Sequence, residues 1–175
     1  LQNEAVDVPA EVKLALIHQL VDAGISYIEA GSFVNPKWVP QMANSEDVFT
    51  QLVHGDNITY AALTPNLKGF ERALSVNATE VAIFAAASEA FSQKNINCSI
   101  AESIARFEPV MTAAKQANIK VRGYVSCVLG CPYQKDVPVS DVVKVSTQLF
   151  DMGCYEISLG DTIGTGTPSK VKELI

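Results

Sequence analysis

Apolar and polar positions along this chain switch between a helical and an extended period, dividing it into alternating helix-type and strand-type segments. Pro9 reads as a first-turn residue of a helix whose apolar stripe runs Val12, Leu16 and Leu20, with Ile17 and Val21 beside it. Gly24 reads as the C-cap of that helix. A strand-like run at 26–30 follows, then a loop carrying Pro36 and Pro40. Residues 45–54 read as a helix stopped by Gly55, residues 58–63 as a strand, and Thr64-Pro65-Asn66 as the start of a helix to Val76. Residues 80–87 form a nearly unbroken apolar strand, and 88–99 read as a long polar loop before a helix ending at Ala117. A strand at 119–127, a second long loop through Cys131-Pro132-Tyr133, a helix at 140–152, a strand at 155–159 and a helix from Pro168 complete the pattern.

Strands that are apolar rather than alternating imply burial on both faces, hence a parallel sheet covered by helices. The loops after the strands are long and chemically rich, as in a (β/α)8 TIM barrel. Yet 175 residues fall short of the roughly 200 such a barrel needs. The expected architecture is therefore α/β, a single partial TIM-barrel catalytic domain over residues 1–175. It would run from the end of the first barrel strand to the start of the sixth helix. A complete five-stranded doubly wound domain is the other reading; Ala30-Gly31-Ser32-Phe33 is not the G-x-G-x-x-G of a dinucleotide site.

Composition narrows the partners. Hydrophobic residues make up 48% and charged residues 18%, which marks a globular chain. Net charge is −6 with no run of bases, which argues against a nucleic-acid surface and leaves an anionic substrate to local positive groups. No apolar run approaches the roughly 18 residues of a membrane helix, and Leu1-Gln2-Asn3-Glu4 lacks the features of a signal peptide. Four cysteines are too sparse for a disulfide framework and suit a reducing compartment. The sequons at Asn57, Asn77 and Asn97 read as chance, and the expectation is a soluble intracellular protein.

The candidate chemistry gathers at strand ends. Glu29 closes the strand at 26–30, and Asp161, in Gly160-Asp161-Thr162, follows the strand at 155–159. Two acids at the same ends of two parallel strands are expected to converge at one mouth and act in catalysis. Arg122 and Tyr124 alternate with Val121 and Gly123, and two polar side chains in an apolar strand point to substrate contact. His18 and His54 read as structural, His54 in the last turn of a helix. Cys127 and Cys131 hint at a metal half-site, with no second pair to complete four ligands, so loop packing is the better reading. Lys94-Asn95 could meet an anion from the loop at 88–99, though a solvated loop is the commoner case, and Trp38 reads as pinning its own loop.

The segments Leu1-Gln2-Asn3-Glu4, Ser32-Phe33-Val34-Asn35-Pro36-Lys37-Trp38-Val39-Pro40-Gln41-Met42 and Leu63-Thr64-Pro65-Asn66-Leu67-Lys68-Gly69 closely resemble the 3-hydroxy-3-methylglutaryl-CoA (HMG-CoA) lyase family. So do Lys94-Asn95-Ile96-Asn97, Arg122-Gly123-Tyr124-Val125-Ser126-Cys127, Gly130-Cys131-Pro132-Tyr133 and Ser158-Leu159-Gly160-Asp161-Thr162-Ile163-Gly164, so that the resemblance covers essentially the whole chain. It implies a TIM barrel that cleaves HMG-CoA to acetyl-CoA and acetoacetate with Mg²⁺ or Mn²⁺, in ketone body formation and leucine degradation. It implies Glu29 and Asp161 as catalytic acids, with Gln2, Ser32, Arg122, Tyr124 and Ser158 lining the substrate pocket. The family's metal-binding aspartate would precede Leu1 and its His-x-His would follow Ile175. No metal ligand is therefore assigned here, and the isolated chain is expected to be inactive. An acyl-CoA substrate, a homodimer, and a cytoplasmic or mitochondrial-matrix location complete the expectation. A condensing synthase joining a 2-oxo acid to acetyl-CoA, or a non-catalytic acyl-CoA-binding domain, are the alternatives.

Overall fold

The computed structural model describes residues 1–175. Its strands are β1 (Tyr27–Ser32), β2 (Thr59–Leu63), β3 (Glu80–Ala86), β4 (Lys120–Ser126) and β5 (Glu156–Gly160). They share one sheet in the order β1-β2-β3-β4-β5, with β1–β2, β2–β3 and β4–β5 paired in parallel. The helices are α1 (Ala10–Asp22), α2 (Ser45–Phe49), α3 (Leu67–Ser75), α4 (Glu89–Ile96), α5 (Ile100–Ala117), α6 (Val139–Asp151) and α7 (Pro168–Leu174). This is the predicted βα alternation, with neighbouring strands in chain order as in a barrel wall. The chain divides into two compact units, Leu1–Ala82 and Ile83–Ile175, with β3 running across the division.

In the first unit, α1 ends as predicted: Gly24 adopts φ +90°, and Gly24 and Ile25 donate back to Val21 and Leu20. Its buried face is rotated from the predicted stripe. Lys13, Leu14 and Ile17 are buried, whereas Val12 and Leu16 are exposed. The reason is Lys13, whose ammonium donates to the Gln41 carbonyl and the Asn44 side chain, so a nominally polar position turns inward. Helix α2 is shorter than expected and ends at Phe49, which leaves His54 outside any helix, edge-on to the Tyr60 ring. Trp38 is 74% exposed and pins nothing, a correction to the predicted role. Helix α3 begins where Asn66 Oδ1 accepts the Gly69 N–H at 3.0 Å. The core of this unit joins Ile28, Phe33, Val48, Phe49, Tyr60, Phe70 and Ala73.

In the second unit, the stretch predicted as a polar loop contains α4, capped by Ser88 and ended by Asn97 in the left-handed region. Lys94 and Asn95 therefore sit in a last helical turn rather than a loop. Eight mostly polar residues with little apolar periodicity leave no stripe from which to read that helix. Helix α5 starts in a full capping box, in which Ser99 and Glu102 satisfy each other's backbone N–H groups. Val121 and Val125 in β4 are buried, with Phe107, Val110, Val142, Val145 and Leu149 in the same core. Strand β5 is less buried than expected: it pairs with β4 on one side, and Leu159 is exposed.

Candidate active site

Register decides which side chains share a face. In β1 the pairing to β2 slips between Glu29 and Gly31, so Ala30 is an extra residue in a bulge. Glu29 lies opposite Ala61 and Ser32 opposite Leu63, two residues apart on β2. A regular strand would send residues 29 and 32 to opposite faces; the bulge returns them to the same one. That face is the one turned away from α2, because a Cβ on the intervening Gly31 would meet Ser45 Oγ at 2.9 Å and Phe49 Cε2 at 3.2 Å. Ser45 helps fix the arrangement: its hydroxyl accepts the Ser32 N–H at 3.2 Å, and its one proton is shared between the Ser32 carbonyl at 2.9 Å and the Met42 carbonyl at 2.8 Å.

Three further observations define this part of the site. Glu29 is exposed. Ser32 is 5% exposed, yet its Oγ has no hydrogen-bond partner. A buried unpaired hydroxyl costs roughly 1–3 kcal/mol, which a bound ligand could recover. Tyr27, on the same face as Glu29, donates its hydroxyl to Glu80 Oε1 at 2.6 Å, and Glu80 is 5% exposed at the start of β3. Gln2 lies exposed in the N-terminal segment.

The second unit carries its own polar face. Arg122, Tyr124 and Ser126 pair with Glu156, Ser158 and Gly160 in register, so these side chains form one patch across β4 and β5. It lies away from α6, since a Cβ on Gly123 would approach Leu149 and Cys154 at 3.2 Å. The Arg122 guanidinium donates to Glu156 Oε2 at 3.0 Å; Arg122 is the less exposed partner, at 17% against 46%. Part of the Arg122 charge is thus answered within the sheet, which the reading as a substrate contact alone did not foresee.

Asp161 is exposed and occupies the turn beyond β5. Its carboxylate accepts the Thr165 N–H at 3.1 Å and the Gly166 N–H at 2.8 Å, closing the loop that leads to α7. The loop after β4 is tied to this one. The Cys127 N–H donates to Thr162 Oγ1 at 2.8 Å and the Val128 N–H to the Gly160 carbonyl at 3.2 Å. Gly130 and Gly166 allow close approach there: a Cβ on either would fall within 3 Å of Thr165 Oγ1 or Leu129 Cδ1 respectively.

Glu29 and Ser32 are therefore brought together in the first unit, and Arg122, Tyr124 and Ser158 in the second, with Asp161 at the end of β5. Sequence reasoning missed Ser45, Glu80 and Glu156. Of these only Glu156 had a legible signal, its two-residue spacing from Ser158 on one strand. No group of three His, Cys, Asp or Glu side chains is placed to hold a metal ion. The residues present do not fit the divalent cation that the resemblance implies, and no step below is routed through one.

A parallel α/β sheet with polar side chains on its helix-free strand faces and interlocked loops beyond its strands defines an enzyme-type scaffold. The HMGL-like family model matches residues 1–175, and the chain belongs to that family. It is 58% identical over all 175 residues to the 3-hydroxy-3-isohexenylglutaryl-CoA/hydroxymethylglutaryl-CoA lyase of Pseudomonas aeruginosa, covering 58% of that protein. It is 57% identical to the mitochondrial hydroxymethylglutaryl-CoA lyase of Rattus norvegicus, covering 54%. Among solved structures, the P. aeruginosa hydroxymethylglutaryl-CoA lyase superposes with a TM-score of 0.96 at 57% identity, over 99% of this chain and 58% of that one. An HMG-CoA lyase from Acinetobacter baumannii, in complex with coenzyme A and 3-methylmalate, gives 0.95 at 36% identity, over 99% and 57%. The chain thus spans little more than half the length of these relatives, as expected of a partial barrel.

Proposed function

We propose that the full-length protein cleaves the carbon–carbon bond of 3-hydroxy-3-methylglutaryl-CoA, giving acetyl-CoA and acetoacetate. The full-span match to proteins named for that activity carries this reading. Residues 1–175 form one catalytic domain in it. The reaction needs a base for the proton of the tertiary hydroxyl, electrostatic support for the enolate left when the bond breaks, and a proton donor for its carbon. Glu29, exposed on the open face of β1, is suited to orient or accept the hydroxyl proton. The unpartnered Ser32 hydroxyl is suited to hydrogen-bond a substrate oxygen. Arg122 contributes positive charge to a chain of net −6, with Tyr124 and Ser158 beside it as polar contacts. Gln2 is assigned to the substrate's polar end, and Asp161 serves by holding the loop at the end of β5.

The complete enzyme is proposed to use Mg²⁺ or Mn²⁺ on ligands other than those present here, so residues 1–175 alone should not turn over substrate. A homodimer is part of the proposal. So is residence in the mitochondrial matrix or cytoplasm; a rat relative is named mitochondrial and a mouse relative cytoplasmic. No helix is long and apolar enough to cross a membrane.

The test offers the full-length protein two substrate sets in the presence of Mn²⁺. Acetoacetate released from HMG-CoA supports the lyase. Free CoA released only when acetyl-CoA and a 2-oxo acid are supplied together would replace it with a condensing synthase.

A further inference from the structure

The pair Cys127 and Cys131 lies outside the proposed chemistry, and its surroundings are built in an unusual way. Both thiols are buried, at 0% and 2% exposure. The chain from Cys131 to Lys135 folds into a tight hairpin, with Cys131 and Lys135 exchanging backbone hydrogen bonds at 2.8 and 3.0 Å. That turn aims the Tyr133 and Gln134 N–H groups back at Cys131 Sγ, at 3.4 and 3.5 Å. The Ser88 hydroxyl approaches the same sulfur at 3.0 Å. Its single proton can go either there or to Gln134 Oε1, 2.7 Å away. Cys127 lies near enough for the two thiols to perturb each other. Two N–H groups and a hydroxyl shared with Gln134 converge on the Cys131 sulfur and make a cradle for a thiolate, with a second thiol close by.

We propose that Cys127 and Cys131 form a peroxide-oxidisable dithiol site, with Cys131 as the attacking sulfur and Cys127 as the resolving one. The Cys131 thiolate attacks one oxygen of hydrogen peroxide; the O–O bond breaks, an S–O bond forms, and hydroxide leaves to take up a proton as water. Cys127 then gives up its proton and attacks the Cys131 sulfur. The S–S bond forms, the S–O bond breaks, and the second oxygen departs as water. Two thiols are oxidised by two electrons while peroxide is reduced to two waters.

The electrostatics assign the order of attack. Burial raises the Cys131 thiol, but Ser88, the Gln134 and Tyr133 N–H groups and Cys127 together outweigh it and leave it below the ordinary 9.0. Cys127 is pushed up to about 11, chiefly by burial. Cys131 is thus the sulfur that ionises first. Pro132, Tyr133 and Gln134 are exposed, so only this short hairpin separates the sulfur from solvent.

Mass spectrometry tests the site without reference to activity. Trypsin cuts after Arg122 and Lys135 and so releases both cysteines in one peptide. The full-length protein is treated with hydrogen peroxide, then denatured and alkylated with iodoacetamide. The expected peptide is lighter than the reduced one by two hydrogen atoms, takes up no alkyl group, and regains both after dithiothreitol. Cys127→Ser should instead yield a dimedone adduct on Cys131, and Ser88→Ala should slow disulfide formation several-fold. Recovery of the peptide alkylated at both sulfurs, under conditions that oxidise free glutathione, would overturn the proposal. A dimedone adduct on Cys127 in Cys131→Ser, formed as fast as the wild-type disulfide, would overturn the assigned order.

Discussion

Replacing Asp161 tests whether the loop beyond β5 is held by a carboxylate or merely decorated by one. Asp161→Ala removes the acceptors of the Thr165 and Gly166 N–H groups, which lie 3.1 and 2.8 Å from its two oxygens. Hydrogen bonds to a charged group contribute about 1.5–3 kcal/mol when sheltered. Asp161 is exposed, so each bond is taken at roughly 0.5–1 kcal/mol, or about 1–2 kcal/mol for the pair. That corresponds to roughly a 5- to 30-fold fall in the ratio of closed to open loop. If catalysis needs that loop, kcat/KM for acetoacetate release by the full-length protein should fall by up to the same factor. Asp161→Asn should show about half the alanine effect, because its carbonyl oxygen keeps one of the two N–H groups. It is nearly isosteric, but its amide group presents donors to the other. Amide hydrogen exchange at Thr165 and Gly166 should accelerate in both variants, while the thermal midpoint changes little. Wild-type kinetics and unchanged protection in Asp161→Asn would refute the reasoning.

Other expectations follow from packing, capping and burial. Gly31→Ala forces a Cβ to 2.9 Å from Ser45 Oγ and 3.1 Å from Ser45 Cβ in a buried site; the expected cost is about 1–3 kcal/mol, seen as a lower urea midpoint and contradicted by an unchanged one. Ser99→Ala dismantles the capping box of α5 and should cost about 0.5–2 kcal/mol, with an unchanged thermal midpoint counting against it. Burial holds the Lys13 ammonium below its ordinary 10.5, against the raising pull of Asp7. Between the folded and ordinary values the unfolded chain binds more protons, so the penalty of a buried charge shrinks as pH rises through that window. The stability of the wild type relative to Lys13→Met should therefore rise toward pH 10.5, and a pH-independent difference would argue against a buried charge.

Much of the scaffold was legible because it depends on runs long enough to outvote local exceptions. The apolar stretch that becomes β3 reads as a strand, and Gly24 and the Thr64-Pro65-Asn66 start announce their helix ends, while the Ser99 cap of α5 emerges only in the structure. Where reading failed, a partner distant in the chain decided. The buried face of α1 turned because Lys13 finds oxygens 28 and 31 residues away. The bulge at Ala30 is a relation between β1 and β2, so Glu29 could be singled out but its sharing of a face with Ser32 could not. Arg122 stood out as a polar residue in an apolar strand, while its pairing with Glu156 became visible only through register. Asp161 was legible as a strand-end acid, but the two N–H groups it holds come from a loop conformation that no spacing rule specifies.

Glu29 is proposed to stand where HMG-CoA cleavage takes place. Acetoacetate release from HMG-CoA should be compared between the full-length wild type and Glu29→Gln, which keeps the side chain's size and removes its charge. The wild type should release acetoacetate, and the variant should show a fall in kcat of roughly a hundredfold or more, with the folded state intact. Release by neither protein, or equal release by both, would contradict that placement of Glu29.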